Sequence, residues 1–122
     1  MNVLIIDDDH RNIFALKTAL KSRGITANGI LNGKEGLEIL RNDPSVDVVL
    51  LDMMMPEFDG FEVLEEMQSL SQVKLPAVIA VTAKAMKGDR ERCLLAGAKG
   101  YVSKPVDIDL LIAEIKQVLR HD

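Results

Sequence analysis

Residues 3–8 read VLIIDD, an uninterrupted apolar run that ends in two carboxylates. The same order recurs at residues 48–52, where VVLL is followed by Asp52. A run without polar residues is typical of a strand that is buried on both faces, as in a parallel sheet covered by helices. The carboxyl ends of parallel strands share one edge, and open α/β sheets bind ligands there. These two stretches therefore predict a parallel sheet with carboxylates clustered at one edge.

Two further polar residues occupy equivalent places farther along the chain. Thr82 follows the apolar run at residues 77–81, and Lys104 comes shortly after the apolar pair at residues 101–102. If all these strands are parallel, a hydroxyl and an ammonium group join the acidic cluster at the same edge.

The rest of the chain alternates short apolar runs with longer stretches of helical period, which predicts five strands and five helices. The predicted strands cover residues 2–6, 26–30, 46–51, 77–81 and 100–102. The second is the most mixed in composition and is therefore predicted to lie at an edge of the sheet. The predicted helices begin near Asp9, Asn32, Asp59, residue 84 and Asp107.

Local signals set the ends and buried faces of these helices. Gly24 is expected to end the first helix, and Pro44 lies beyond the end of the second. Asn32 with Glu35 resembles a capping box. The predicted core positions are Ile13, Leu16, Leu20, Phe61, Leu64, Met67, Leu111, Ile115, Val118 and Leu119.

The fourth helix, predicted at residues 84–96, carries so many charged residues that only a thin apolar stripe remains. Loose packing would suit an element that moves or meets a partner. A plain solvated helix is the commoner explanation of such a pattern, and both alternatives stay open.

Length and composition restrict the class of protein. The 122 residues fit one domain, predicted to span residues 1–122 without an output domain. A net charge of −4 and the lack of a basic run argue against direct nucleic-acid binding. The single cysteine, Cys93, fits a reducing compartment. No apolar run is long enough for a membrane span, so we expect a soluble, cytoplasmic domain without membrane contact.

The acidic cluster predicts a specific chemistry. Carboxylates this close repel one another and need a cation or a proton. Oxygen ligands favour Mg²⁺, which also binds phosphate oxygens. Lys104 and Thr82 are suitable partners for a phosphoryl group, and a carboxylate would then be the nucleophile.

Each residue alone has an ordinary structural explanation. Acidic turns such as residues 7–9 usually cap helices, Asp52 could be a loop carboxylate, Thr82 could be structural, and Lys104 could be a surface charge. His10, beside a helix start, is expected to be an exposed histidine rather than a phosphate carrier or metal ligand. The joint placement of the others after four strands favours a functional site.

The chain resembles the receiver domains of two-component response regulators over nearly its whole length. The motifs that carry the resemblance are the acidic pair at residues 7–8, LDMMMP at 51–56 with DG at 59–60, VTA at 81–83 and SKP at 103–105. The resemblance implies a flavodoxin-like three-layer α/β sandwich, with a five-stranded parallel sheet of order 2-1-3-4-5 and five helices.

The resemblance also implies roles for individual residues. Asp52 would be the phosphoacceptor that attacks a phosphohistidine donor. Mg²⁺, for which Mn²⁺ is expected to substitute, would be bound directly by Asp8, Asp52 and the Met54 backbone carbonyl. Asp7 would act mainly through water.

The remaining roles concern the phosphoryl group and the conformational switch. Lys104, Thr82 and Ala83 would bind the phosphoryl group. Thr82 and Tyr101 would then remodel the face formed by the fourth helix, fifth strand and fifth helix. In the family the Lys104–Pro105 bond is typically cis, and such a bond costs little enough to be kept.

The residues two positions beyond Asp52 and Thr82 tune phosphoryl lifetime in the family. Here they are Met54 and Lys84, neither of which is an obvious water-orienting acid or amide. We therefore expect slow self-dephosphorylation by a signalling phosphoacceptor that is not an enzyme.

A finer likeness links the chain to receivers of hybrid sensor histidine kinases, through RNIFAL at residues 11–16, TAKAMKGD at 82–89 and KPVD at 104–107. The expected partners are a sensor histidine kinase or histidine phosphotransfer protein as donor, and a downstream protein or parent hybrid kinase. Family dimers often use the fourth-helix face, so a homodimer is one alternative.

Two other classes compete with this interpretation. One is a magnesium-dependent phosphatase with an aspartyl-phosphate intermediate, although such enzymes need a second aspartate where this chain has Met54. The other is a receiver-like module that no longer accepts phosphate, although Asp8, Asp52, Thr82 and Lys104 are all intact.

Overall fold

A computed structural model describes residues 1–70, 74–83 and 87–120 of the chain. Its elements are β1 (Asn2–Ile6), α1 (His10–Lys21), β2 (Thr26–Ile30), α2 (Gly33–Asn42), β3 (Val48–Asp52), α3 (Gly60–Gln68), β4 (Ala77–Thr82), α4 (Asp89–Leu95), β5 (Gly100–Ser103) and α5 (Ile108–Arg120). The strands pair in parallel in the order β2-β1-β3-β4-β5. The predicted flavodoxin-like architecture and the edge position of β2 are confirmed.

The sheet is the middle of three layers. Successive side chains of a strand point to opposite faces, so each strand contributes to two cores. One core joins Ile5 and Leu50 to the buried faces of α1 and α5. The other joins Ile6 and Leu51 to α2, α3 and Cys93 of α4. Burial on both faces explains why β1 and β3 are apolar without interruption.

The third strand differs from its prediction at both ends. The sequence predicted residues 46–51, whereas the ladder begins at Val48 and includes Asp52. Asp47 instead contacts the first residue of β1, because its Oδ2 accepts a hydrogen bond of 2.8 Å from the backbone N–H of Asn2. The inclusion of Asp52 matters most, since it places that carboxylate on a strand and not on a loop.

Polar caps start the first three helices where the sequence indicated. Asp9 caps α1, and the Asn32 side-chain oxygen accepts a hydrogen bond of 2.8 Å from the Glu35 N–H. The reciprocal capping box is found at Asp59 and Glu62, at the start of α3. The first helix ends at Lys21, before the predicted stop at Gly24, whose φ of 77° glycine adopts without strain.

The fourth helix is shorter than predicted. Residues 84–86 of the predicted span lie outside the described residues, and α4 begins at Asp89 after Gly88. Within α4, all of which the structure describes, Cys93 is the one buried side chain, while Leu95 is 88% exposed. The prediction of a thinly packed helix is confirmed.

The predicted core faces of the other helices are largely correct. Ile13, Leu16, Leu20, Leu64, Met67, Leu111, Ile115 and Val118 are buried, and Leu119 is half-buried against the same core. Phe61 is likewise half-buried against the other core, and its ring also lies beneath the guanidinium of Arg92. Val63 of the same helix is fully buried.

Candidate functional site

The acidic residues meet at the carboxyl edge of the sheet because of the strand register. Ile6 of β1 lies opposite Leu51 of β3, so Asp7 and Asp52, the next residues of each strand, lie side by side. Asp8 follows Asp7 beyond the edge. One oxygen from each of the three carboxylates lies within 4.8 Å of the others. The predicted cluster is therefore formed where two adjacent strands end, with Asp52 on β3 and with Asp7 and Asp8 in the connection that follows β1.

Burial and hydrogen bonds orient two of the three carboxylates. Asp7 and Asp52 are 2% and 4% exposed, whereas Asp8 is exposed. The Oδ1 of Asp7 accepts a hydrogen bond of 2.8 Å from the Asp9 N–H, and the Oδ1 of Asp52 accepts one of 3.0 Å from the Met54 N–H. In both residues the second oxygen is left to face the site.

Lys104 contacts both of these second oxygens. Its Nζ lies 3.2 Å from Asp7 Oδ2 and 3.7 Å from Asp52 Oδ2, and its side chain is 22% exposed. The Lys104 N–H donates to the Thr82 carbonyl at 2.8 Å, which ties the loop after β5 to the end of β4. The Lys104–Pro105 peptide bond is cis, as the family resemblance implied.

The charges at this edge do not balance. Burial is the main cause that raises the pKa of Asp52 to about 6; the Asp7 charge adds to the rise, whereas the Met54 N–H and Lys104 oppose it. Three ionised carboxylates facing one ammonium leave a negative excess. A carboxylate with a raised pKa in such a cluster is typical of a functional site.

The donor set fits a hard divalent cation. All three side chains offer carboxylate oxygens, which Mg²⁺ prefers, and the exposed Asp8 leaves one side of the cluster open to water. A bound dication would also offset the repulsion from Asp7, which adds to the effect of burial on the Asp52 pKa. The cluster is thus compatible with the predicted magnesium site.

The remaining predicted residues lie around this cluster. Thr82 is the last residue of β4 and is 1% exposed, while the neighbouring Ala83 is exposed. Tyr101 lies on β5, half-buried. His10 is exposed, as predicted. Lys84, predicted to influence phosphoryl lifetime, lies outside the described residues.

Two further residues near the site bear on its geometry. Asp89 accepts a hydrogen bond from the Tyr101 hydroxyl, but in the sequence it is one charge among many in the fourth helix. Gly60 packs against the backbone that follows Asp52, where an added Cβ would lie 2.7 Å from Met53 Cα. The DG pair at residues 59–60 was the available signal for Gly60, whereas no signal singled out Asp89.

The helices that the structure describes include none with the length and apolar character of a membrane span.

Comparison with known proteins agrees with this geometry. The family model described as the response regulator receiver domain matches residues 3–116. The polar-differentiation response regulator DivK of Brucella anthropi is 34% identical over 118 residues, which cover 97% of this chain and 95% of that protein. Hybrid signal transduction histidine kinase H of Dictyostelium discoideum is 38% identical over 88 residues, 72% of this chain but only 6% of that protein.

Solved structures give the same result. The receiver domain of the Francisella response regulator 1452 superposes with a TM-score of 0.87 and 28% identity, covering 98% of this chain and 97% of that one. The sequence, the sheet order and the acidic edge agree with this match, and the chain belongs to the family of response regulator receiver domains.

Proposed function

We propose that this chain accepts a phosphoryl group on Asp52 in a two-component phosphorelay. The observation that carries the proposal is the environment of the Asp52 carboxylate, which is buried beside Asp7 and lies 3.7 Å from the Lys104 ammonium. Asp52 Oδ2 attacks the phosphorus of a phosphohistidine, an O–P bond forms, and the P–N bond breaks. The imidazole nitrogen leaves with the bonding electron pair.

The acidic residues would hold the metal ion that this reaction needs. Asp8 and Asp52 would bind Mg²⁺ directly together with the Met54 carbonyl, and Asp7 would act through water. When bound, the ion neutralises charge on the phosphoryl oxygens. Mn²⁺ is expected to substitute, since it also favours oxygen ligands.

The other residues position the phosphoryl group. The Lys104 ammonium would pair with one phosphoryl oxygen, and the Thr82 hydroxyl and the Ala83 N–H would donate hydrogen bonds to the others. Such fixed donors cost no reorganisation during the reaction, which is why positioning and charge account for most of the catalysis of phosphoryl transfer.

Phosphorylation would then act on the face formed by α4, β5 and α5. Thr82 and Tyr101 would be the switch residues, because the new charge favours the conformer in which the Thr82 hydroxyl contacts it. The partners would be a histidine kinase or histidine phosphotransfer protein as donor, and a downstream protein or parent hybrid kinase. The likeness to a hybrid histidine kinase supports this donor class.

The test is incubation with Mg²⁺ and acetyl phosphate, followed by intact mass measurement of wild type and Asp52→Ala. We expect one phosphoryl group on the wild type, lost with EDTA and in the variant. Asp47→Ala, which removes an exposed aspartate of the opposite sheet edge, is the control and should be phosphorylated normally. Unmodified wild type would contradict the proposal, and sustained hydrolysis of many equivalents would indicate a phosphatase.

The residue at position 54 predicts slow loss of the phosphoryl group. Met54 is 51% exposed at the mouth of the site and cannot orient an attacking water. We expect Met54→Asn to shorten the phosphoryl half-life about tenfold, because an amide can position that water. A phosphate-loss time course in excess Mg²⁺ measures the half-life. The apolar Met54→Leu should match wild type, and rapid decay of wild type would refute the prediction.

A further inference from the structure

A side-chain hydrogen bond joins the fifth strand to the fourth helix. The Tyr101 hydroxyl donates to Asp89 Oδ2 at 2.8 Å. Asp89 is the first residue of α4, and its side chain is 14% exposed. A hydrogen bond to a carboxylate is stronger than one between neutral groups, and partial burial strengthens it further.

The Asp89 carboxylate is held on its other side as well. Its Oδ1 lies 4.0 Å from Arg92 Nη1, one turn along the same helix. The Arg92 guanidinium in turn lies 4.7 Å from the centroid of the Phe61 ring on α3. Through Arg92, the acceptor of the tyrosine hydroxyl on α4 is thus linked to α3.

Tyr101 also lies close to the predicted switch residue Thr82. In the register of β4 and β5, Tyr101 of β5 is opposite Ala80 of β4. Thr82 lies on β4, two residues beyond Ala80. Residues two apart on a strand share a face, so Thr82 and the Tyr101 ring are diagonal neighbours on the side of the sheet that α4 covers.

We propose that Asp89 is a positioning residue for Tyr101, and that their hydrogen bond couples the state of Asp52 to the placement of α4. This inference rests on the proposed phosphoacceptor function. A phosphoryl group can shift α4 only through contacts that differ between two conformers. The fourth helix has a single buried side chain, so one charge-assisted hydrogen bond is a large share of what holds it.

The ionisation of Tyr101 agrees with this geometry. Burial, together with the Asp89 hydrogen bond and the Asp89 charge, raises the pKa of Tyr101 to about 12. The Arg90 charge lowers this pKa, and Cys93 adds to the rise.

The composition of the chain allows a direct test, because it contains one tyrosine and no tryptophan. Tyrosine labelled with ¹³C at Cζ therefore gives a single NMR signal, which can be read at neutral pH. We expect Asp89→Asn to shift this signal and to lower the pKa of Tyr101. Glu91→Gln is the matched control, since it removes an exposed acidic residue from the same first turn and should leave both unchanged.

The coupling itself is measured by a double-mutant cycle on beryllofluoride binding in Mg²⁺. We expect Asp89→Asn to change the dissociation constant by at least about threefold in the wild type and by much less in Tyr101→Phe. Equal effects in both backgrounds would overturn the proposal, as would a Tyr101 signal unmoved by Asp89→Asn. If Asp89→Asn fails to fold, Tyr101→Phe tests the same hydrogen bond, because its loss should increase the rate of amide hydrogen exchange in α4.

Failure of the phosphoacceptor proposal gives a different result. In that case beryllofluoride would not bind wild type, or would bind Asp52→Ala equally well. The Tyr101 signal in Asp89→Asn would still report the hydrogen bond by itself.

Discussion

Lys104→Met is expected to slow phosphorylation of Asp52 by about 100-fold, because it removes a positive charge aimed at the reacting group. The Nζ of Lys104 lies within 3.7 Å of both Asp7 Oδ2 and Asp52 Oδ2, and methionine keeps much of the side-chain volume without the charge. Initial rates with acetyl phosphate in saturating Mg²⁺ measure the change. Lys116→Met, which removes an exposed lysine of α5, should react as wild type does.

The same substitution should lower the free energy of unfolding by about 1–3 kcal/mol at pH 7 without metal, because two buried carboxylates lose their shared cation.

Asp52→Asn should have the opposite effect and raise the free energy of unfolding under the same conditions. The folded pKa of Asp52, about 6, lies above the ordinary value, so ionisation costs stability as pH rises through 6. Asparagine removes that cost. Urea unfolding in EDTA that showed the same sign for both variants would contradict this charge balance.

Gly60→Ala is expected to destabilise the protein by about 2–3 kcal/mol. A Cβ at this position would lie 2.7 Å from Met53 Cα and 3.0 Å from the Asp52 carbonyl oxygen. Backbone atoms cannot rotate away as a side chain can, so either α3 or the end of β3 must move. The same shift would disturb the Met54 N–H that binds Asp52 Oδ1, and phosphorylation should slow as well.

Gly24→Ala separates this contact from the general cost of replacing glycine. Gly24 has a φ of 77°, and an added Cβ would meet no atom within 4 Å. We expect Gly24→Ala to cost only about 1–2 kcal/mol, the price of the left-handed backbone. It should leave phosphorylation unchanged. Equal phosphorylation rates in the two variants would show that Gly60 does not position the acceptor.

The sequence predicted the site well because strand ends determine it. An uninterrupted apolar run indicates a buried strand, and the polar residue that follows it lies at the carboxyl edge of the sheet. Asp7, Asp52 and Thr82 were located in this way, within one residue of where the strands end. The family resemblance supplied the sheet order, which apolar patterning alone does not determine.

The sequence could not predict contacts between distant elements. The hydrogen bond from Tyr101 to Asp89 depends on how α4 packs beside β5, and a charged helix offers several equivalent carboxylates. The start of β3 was misplaced for a similar reason. Val46 is apolar and is separated from the buried run by one residue, but the ladder begins at Val48, and the Asp47 side chain between them accepts a hydrogen bond from the Asn2 N–H. Phe61 packs against the core as predicted, but its contact with Arg92 was not foreseeable.

The parallel register of β1 and β3 limits how the length of this chain can vary. Asp7 and Asp52 are neighbours because each follows the pair Ile6 and Leu51. One residue inserted within β3 would turn Asp52 toward the opposite face of the sheet, since side chains alternate. One residue inserted into the connections at 22–25 or 43–47 leaves the pairing of Ile6 with Leu51 unchanged. Natural and engineered length changes should therefore be tolerated in these connections, and deletions or insertions within the strands should be lost under selection.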